Sequence, residues 1–260
     1  MDQIAFIDAE IEQSTGRILD IGAIRDDGSE FRKNSAPELS IFLKGSRYVC
    51  GHNIVKHDLK YLGRAIRDAG VAQVIDTLTL SPLLFPAKPY HALLKDDKLQ
   101  TDDINNPLSD AIKAKDLFYD EIAAFEILAT DLKEIYFGLL KDQKEFAGFF
   151  RYLGLMNEKD QHPDPELKPS ALKYMIKTAY STKICSNKDL QPYIDNSSIE
   201  LAYALALIQT EDRYSIIPPW VAKTYPYVEE ILNNLRNIPC LEGCNYCRSA
   251  LDIHEELKRY

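Results

Sequence analysis

Two carboxylates interrupt a run that otherwise reads as a buried strand. In FIDAEIE (residues 6–12), Asp8 and Glu10 lie two apart, and side chains two apart in a strand share a face. Carboxylates buried together are unfavourable unless something pairs with them, and a divalent cation suits oxygen ligands best. A solvated hairpin edge is the plainer account of an Asp-x-Glu pair in a chain with 40 acidic residues. Two further acidic positions stand in a similar relation to apolar neighbours. Asp58, in GHNIVKHDLKYL (51–62), enters the first turns of a helix that follows a short strand ending near Asn53. There it either projects towards the strand end or merely complements the helix dipole, with Asn53 as a cap. Asp110, in NNPLSDAIKAKDLF (105–118), sits beside Ala111 on the apolar side of a helix, a place that could equally be surface. A second chemistry is offered by Cys240, Cys244, Cys247 and His254, a C-x3-C-x2-C-x6-H run. Thiolates and imidazole in tetrahedral array suit structural Zn²⁺, and the alternative is a tail whose thiols do nothing.

The elements that must position these groups follow from periodicity and turn signals. Strands are expected over 4–11, 17–25 and 29–33, joined by QSTG and DDG, which is hairpin chemistry. A fourth strand is expected at 48–51. Leu59, Leu62, Ala65 and Ile66 then recur at helical spacing up to Gly70, a capping glycine. Val74 and Ile75 suggest a fifth strand. A helix over 106–128 carries Ala111, Ala114, Leu117, Phe118, Ile122 and Phe125 on one face. This order predicts an α/β class. Beyond it the pattern is helical, near 130–153, 170–180, 197–210 and 224–236. The organisation expected is residues 1–128, a helical region 129–217 and a cysteine-bearing tail 218–260. Tyr136, Phe137, Phe149, Phe150 and Tyr152 in the helical region read as core or as base-stacking surfaces.

Composition narrows the function classes. The chain has 260 residues, 45% hydrophobic, and a formal charge of −9, which argues against a broad basic surface for nonspecific nucleic-acid binding. A nuclease stays open, because bound cations reverse the local field where a phosphate must sit. No apolar run approaches the roughly 18 residues that cross a bilayer, so no membrane partner is expected and cytoplasm is the default. Five cysteines, three crowded near the end, do not make the dispersed pattern of a secreted disulfide framework.

Taken in order, Asp8 and Glu10, then Asp58, then Asp110, with VIDTLTLSPLLFP between the last two, resemble the DEDD superfamily of 3′-to-5′ exonucleases, the DnaQ-like group. The resemblance covers roughly 3–128. It implies a ribonuclease-H-like mixed sheet with flanking helices, and four carboxylates holding two Mg²⁺ or Mn²⁺ ions. One ion would activate a water and the other stabilise the leaving 3′ oxygen, with Asp8 shared, Glu10 on the nucleophile side and Asp58 and Asp110 completing the cage. The family's general base falls five positions before the last aspartate in one subgroup and four in another. Here those positions are Asn105 and Asn106, neither able to take a proton at neutral pH. His91, five residues before Asp96, is one replacement. His57 is a second, although a neighbour at a helix start is expected to point away from Asp58. Ions acting without a dedicated base are the third. His52 reads as a hydrogen-bonded core histidine.

The tail resembles a segment that follows such a domain in some bacterial RecQ-like helicases: PPWV, a short helix, then clustered cysteines. This implies single-stranded DNA 3′ ends as the substrate, a link to DNA repair, and a helicase module in the same longer chain. RNA is the other substrate class, since the 2′-OH is sensed by pocket shape. A docking module that keeps the fold without the chemistry is the alternative, and Asn105 is its motive.

Overall fold

The computed structural model describes residues 3–88, 90–93, 106–156, 169–210 and 216–257, with the backbone alone for Pro169 and 252–257. Contacts divide the chain into two units. One takes the described residues of Met1–Ser81, His91–Glu126 and Lys144–Asn157, the other those of Pro82–Tyr90, Ile127–Gln143 and Glu158–Tyr260.

The first unit is built on a five-stranded mixed sheet. Strands β1 (Ile4–Glu12), β2 (Arg17–Arg25) and β3 (Glu30–Lys33) form an antiparallel meander, and β4 (Tyr48–Gly51) and β5 (Gln73–Asp76) add in parallel on the other side of β1, giving the order β3-β2-β1-β4-β5. The hairpin signals are met by Gly16 and Gly28, at φ 71° and 85°, the region glycine enters without steric cost. β1 alternates as its sequence demands. Ala5, Ile7, Ala9 and Ile11 enter a core closed by Leu39 and Leu43 of α1 (Ala36–Leu43) and Leu62 and Ile66 of α2 (Leu59–Asp68). Phe6 faces the other way, against Phe118 and Tyr119 of α4 (Pro107–Glu126) at 5.7 and 6.0 Å between ring centroids. On that layer α6 (Lys144–Tyr152) contributes Phe149, which meets Phe118, and Tyr152, which meets Tyr48 edge-on at 5.3 Å. Helices therefore cover both faces, and Asp8 and Glu10 belong to the α4 face.

One glycine admits α4. Gly22 pairs with Asp8 across the hairpin, and a Cβ there would meet the backbone of Pro107 and Leu108 at 2.0–2.4 Å. The first turn of α4 lies directly on the sheet, opposite the carboxylate. Asn106 caps the helix, its Oδ1 accepting from Ser109 N–H at 3.3 Å, and Pro107 opens it, the two residue types favoured at these positions.

The second unit is helical: α5 (Thr130–Leu140), α7 (Pro169–Ala179), α8 (Gln191–Asn196), α9 (Ser198–Gln209), α10 (Pro219–Thr224), α11 (Tyr227–Arg236) and α12 (Asn245–Leu257). α9 is buried from Leu201 to Ile208, on every side, and serves as its core. Among the described residues no helix is long and apolar enough to cross a membrane.

The structure departs from the sequence expectations at several elements. α1 was not anticipated, although Ser35 caps it and a proline stands in its first turn. β5 runs into another unexpected helix, α3 (Thr77–Leu84). The helix expected over 130–153 is two, α5 and α6, which join different units; residues 141–143 contain no glycine or proline to signal the break. α8 and α10 were not anticipated either, and beyond α11 the tail folds as α12. Phe149 and Phe150 are buried, as is Tyr136, so these rings are core.

Gly22→Ala is expected to cost about 3 kcal/mol or more by overpacking, a fall in Tm of roughly 6 °C or more. Gly63→Ala, mid-helix in α2 with only the Arg67 guanidinium at 3.4 Å, is expected to be neutral or to stabilise by about 0.5–1 kcal/mol. Thermal melts of the two variants check the contrast.

Candidate functional site

β1 brings its two carboxylates to the α4 face and then bends, because its pairing with β2 shifts register between Glu10 and Ile11. Such bulges re-aim the side chains beside them. From α4, Asp110 arrives in the first turn, its N–H donating to Asn106 O at 3.1 Å. Asp8, Glu10 and Asp110, all half-buried, each offer an oxygen within 4.8 Å of the others, a group able to hold a metal ion. Lys113 approaches Asp110 at 3.8 Å, partial compensation on one side only. Asp20, opposite Glu10, is neutralised by Arg32 at 2.8 Å.

Asp58 does not cap its helix. Its Oδ1 instead accepts the N–H of Ala9 at 3.0 Å. β1 pairs with β4 only as far as Phe6↔Cys50, so Asp58 satisfies the strand where its neighbour has ended. Of the four carboxylates expected to form one cage, three converge and the fourth braces the strand between two of them. The ring of His57 does not point away: Nδ1 lies 3.6 Å from Asp58 Oδ1, with the Tyr61 ring 6.3 Å from it.

The loop that delivers His57 and Asp58 is held by Asp76, a residue to which the sequence assigned no role. Its carboxylate accepts N–H bonds from Asn53 (2.8 Å), Val55 (3.1 Å) and Leu78 (3.0 Å). Asn53 is left-handed there, at φ 61°, which asparagine tolerates better than most residues. An aspartate directly after the two apolar residues of a short strand, followed by Thr77, was the signal available.

Burial pushes Asp8 up to about 8, and the charges of Asp58, Asp110 and Glu10 act the same way while His57 opposes them. Burial pushes Asp58 up to about 7 against N–H bonds from its own backbone and from Ala9. Burial also raises Asp76, to about 6, despite its three donors. Hard oxygen donors in this state fit Mg²⁺ or Mn²⁺, because a dication removes the mutual repulsion that the protons otherwise relieve.

The remaining histidines lie elsewhere. His52 Nδ1 meets Thr77 Oγ1 at 2.9 Å and burial presses its ring down to about 4, as a core histidine should behave. His91 is buried, with Nδ1 2.8 Å from Ser81 Oγ. Asn106 is a helix cap, while Asn105 and Asp96 lie outside the described residues.

A second group able to hold a metal ion lies in the helical unit. Cys240, Cys244 and Cys247 are joined by Cys185, each sulfur within 4.8 Å of the others. Cys185, 59 residues before Cys244, supplies a fourth thiol to the group; the side chain of His254, expected as a ligand, lies outside the described residues. With three cysteines in the tail and only Cys50 and Cys185 besides, a count against four-coordination pointed to one of these two.

No family model, curated protein or solved structure matches the chain.

Metal-free stability is expected to fall as pH rises. The folded form keeps the Asp8 proton up to about pH 8, whereas the unfolded chain loses it near its ordinary value of 3.8. The contribution is therefore intact below about pH 4 and declines up to about pH 8. Melts in EDTA should show Tm decreasing over this window, and Mn²⁺ should restore more at pH 8 than at pH 5. Asp8→Asn should raise the metal-free Tm at pH 8 and abolish the Mn²⁺ response.

Proposed function

We propose that the first unit is a divalent-cation-dependent 3′-to-5′ exonuclease acting on single-stranded ends. The observation that carries this reading is the convergence of Asp8, Glu10 and Asp110 on one sheet face, in the chain order that resembles the DEDD exonucleases. The strand order, an antiparallel meander extended by two parallel strands on the far side of β1, supports a ribonuclease-H-like reading of the fold. DNA rather than RNA is favoured by the resemblance of the tail to helicase-linked segments, and so are a repair role and a helicase module as partner.

In this reading Asp8, Glu10 and Asp110 hold Mg²⁺ or Mn²⁺. When bound, such ions supply positive charge at both the attacking water and the leaving oxygen of an in-line displacement. The rest falls to side chains. Asp58 fixes the β1 backbone at Ala9, between the two strand carboxylates. Asp76 holds the loop so that His57 stands at the edge of the acidic group, its Nδ1 3.6 Å from Asp58 Oδ1. His57, partly exposed at 38% of its side chain, takes the proton of the attacking water in place of the base that the family supplies from α4. In the same reading the four thiols of the second unit hold Zn²⁺, an ion with no part in hydrolysis.

The test is a ladder assay on 5′-labelled single-stranded DNA and RNA with Mg²⁺, Mn²⁺ or EDTA. Stepwise shortening from the 3′ end is expected with either metal and none in EDTA. Asp8→Asn should lower the rate about 10²-fold or more, and His57→Ala about 10²- to 10⁴-fold. Retained cleavage in Asp8→Asn contradicts the assignment. A loss in His91→Ala but not in His57→Ala moves the proton acceptor to His91. Binding without cleavage under either metal favours the docking module.

A further inference from the structure

The thiol cluster joins three stretches of the helical unit that have little else in common. Cys185 lies in the turn after α7, Cys240 follows α11, and Cys244 and Cys247 stand at the start of α12. The hydrophobic contacts here are few: Cys185, Tyr246 and Cys247 are buried, with Cys240, Cys244 and Leu251 packed around them. Among the described residues this apolar cluster is small, so the thiols make up most of what joins the start of α12 to the ends of α7 and α11.

The sulfurs are arranged as acceptors. Cys240 Sγ receives Cys244 N–H at 3.2 Å and Asn187 Nδ2 at 3.4 Å. Cys247 Sγ receives Cys240 N–H at 3.5 Å. Cys240 and Cys247 thus each accept a backbone N–H, the outer-shell pattern that steadies anionic ligands and orients them to a metal. None of the cysteines is in a disulfide, and Cys185 and Cys244 are 3.8 Å apart at sulfur. Four soft donors lie within 4.8 Å of one another, the number and kind that a structural Zn²⁺ takes in closed tetrahedral coordination. The anchoring is reciprocal: Cys185 N–H donates to Leu235 O at 2.9 Å, and Tyr246 Oη to Arg236 O at 2.8 Å.

We infer that Cys185, Cys240, Cys244 and Cys247 bind a single structural Zn²⁺ that clasps α12 to the ends of α7 and α11, with Cys185 and not His254 as the fourth ligand. The site is independent of the acidic group in the first unit, and its metal is not consumed by any reaction. Removing the ion leaves four thiols and a small apolar contact, so the clasp opens and the segment between α11 and α12 becomes accessible.

The test begins with the full chain as purified. Elemental analysis is expected to give one zinc per chain, and X-ray absorption four sulfur ligands at about 2.3 Å with no nitrogen. His254→Ala and Cys50→Ala should keep the full zinc content, and Cys185→Ser should lose most of it. Extraction with a strong chelator should speed limited proteolysis between α11 and α12, and re-addition of Zn²⁺ should reverse it. A shell with one nitrogen, or zinc lost in His254→Ala and kept in Cys185→Ser, overturns the ligand assignment. A metal-free chain, its sulfurs all titratable as thiols or paired as disulfides, overturns the site. The absorption spectrum needs no variant, so a misfolded Cys185→Ser does not obscure the answer.

Discussion

Mutual repulsion among carboxylates on one sheet face is the constraint around which the first unit is arranged. Asp8 is part-buried beside Asp58, Asp110 and Glu10, and burial first, with their charges adding to it, pushes its carboxyl up to about 8. Keeping the groups together requires steric permission and backbone bracing. Permission comes from Gly22, which lets the first turn of α4 rest on the hairpin opposite Asp8. Bracing comes from Asp58 on Ala9 and from Asp76 on the loop ahead of α2. A group of charges that the fold spends stability to assemble is the usual mark of a functional site.

The local rules of the chain exposed most of this arrangement before any coordinates. Alternation in FIDAEIE placed Asp8 and Glu10 on one face. Glycine-bearing turns and apolar spacing found the five strands, α2 and α4. What local rules could not carry was the partner of each polar group. Asp58 looked equally like a cage member and a dipole partner; the structure makes it a brace for a strand edge, a role set by where β4 stops pairing. The His57 ring turned towards Asp58 because the loop ahead of α2 is fixed by Asp76, a distant residue in sequence. Asn106 was read for a missing base, and its side chain is engaged in capping. The unread helices α1, α3, α8 and α10 are short, and the break between α5 and α6 carries no helix-breaking residue.

The two metal-ligand groups divide by donor chemistry. Oxygen donors on a rigid sheet, half-open to solvent, suit hard cations that keep water and substrate among their ligands. Sulfur donors that close on themselves suit an ion with a structural task. Spacing announced three of the four thiols, but Cys185 comes from another part of the chain, and only the three-dimensional path of the helical unit brings it in.

The most direct measurement is Mn²⁺ binding to the purified chain, followed by electron paramagnetic resonance at pH 8 for wild type, Asp8→Asn and Asp110→Asn. The account predicts saturable Mn²⁺ in the wild type and a loss of affinity of more than about tenfold in each variant, since ligand charge sets affinity at such sites. Equal Mn²⁺ binding by all three proteins, or none by the wild type, would contradict it.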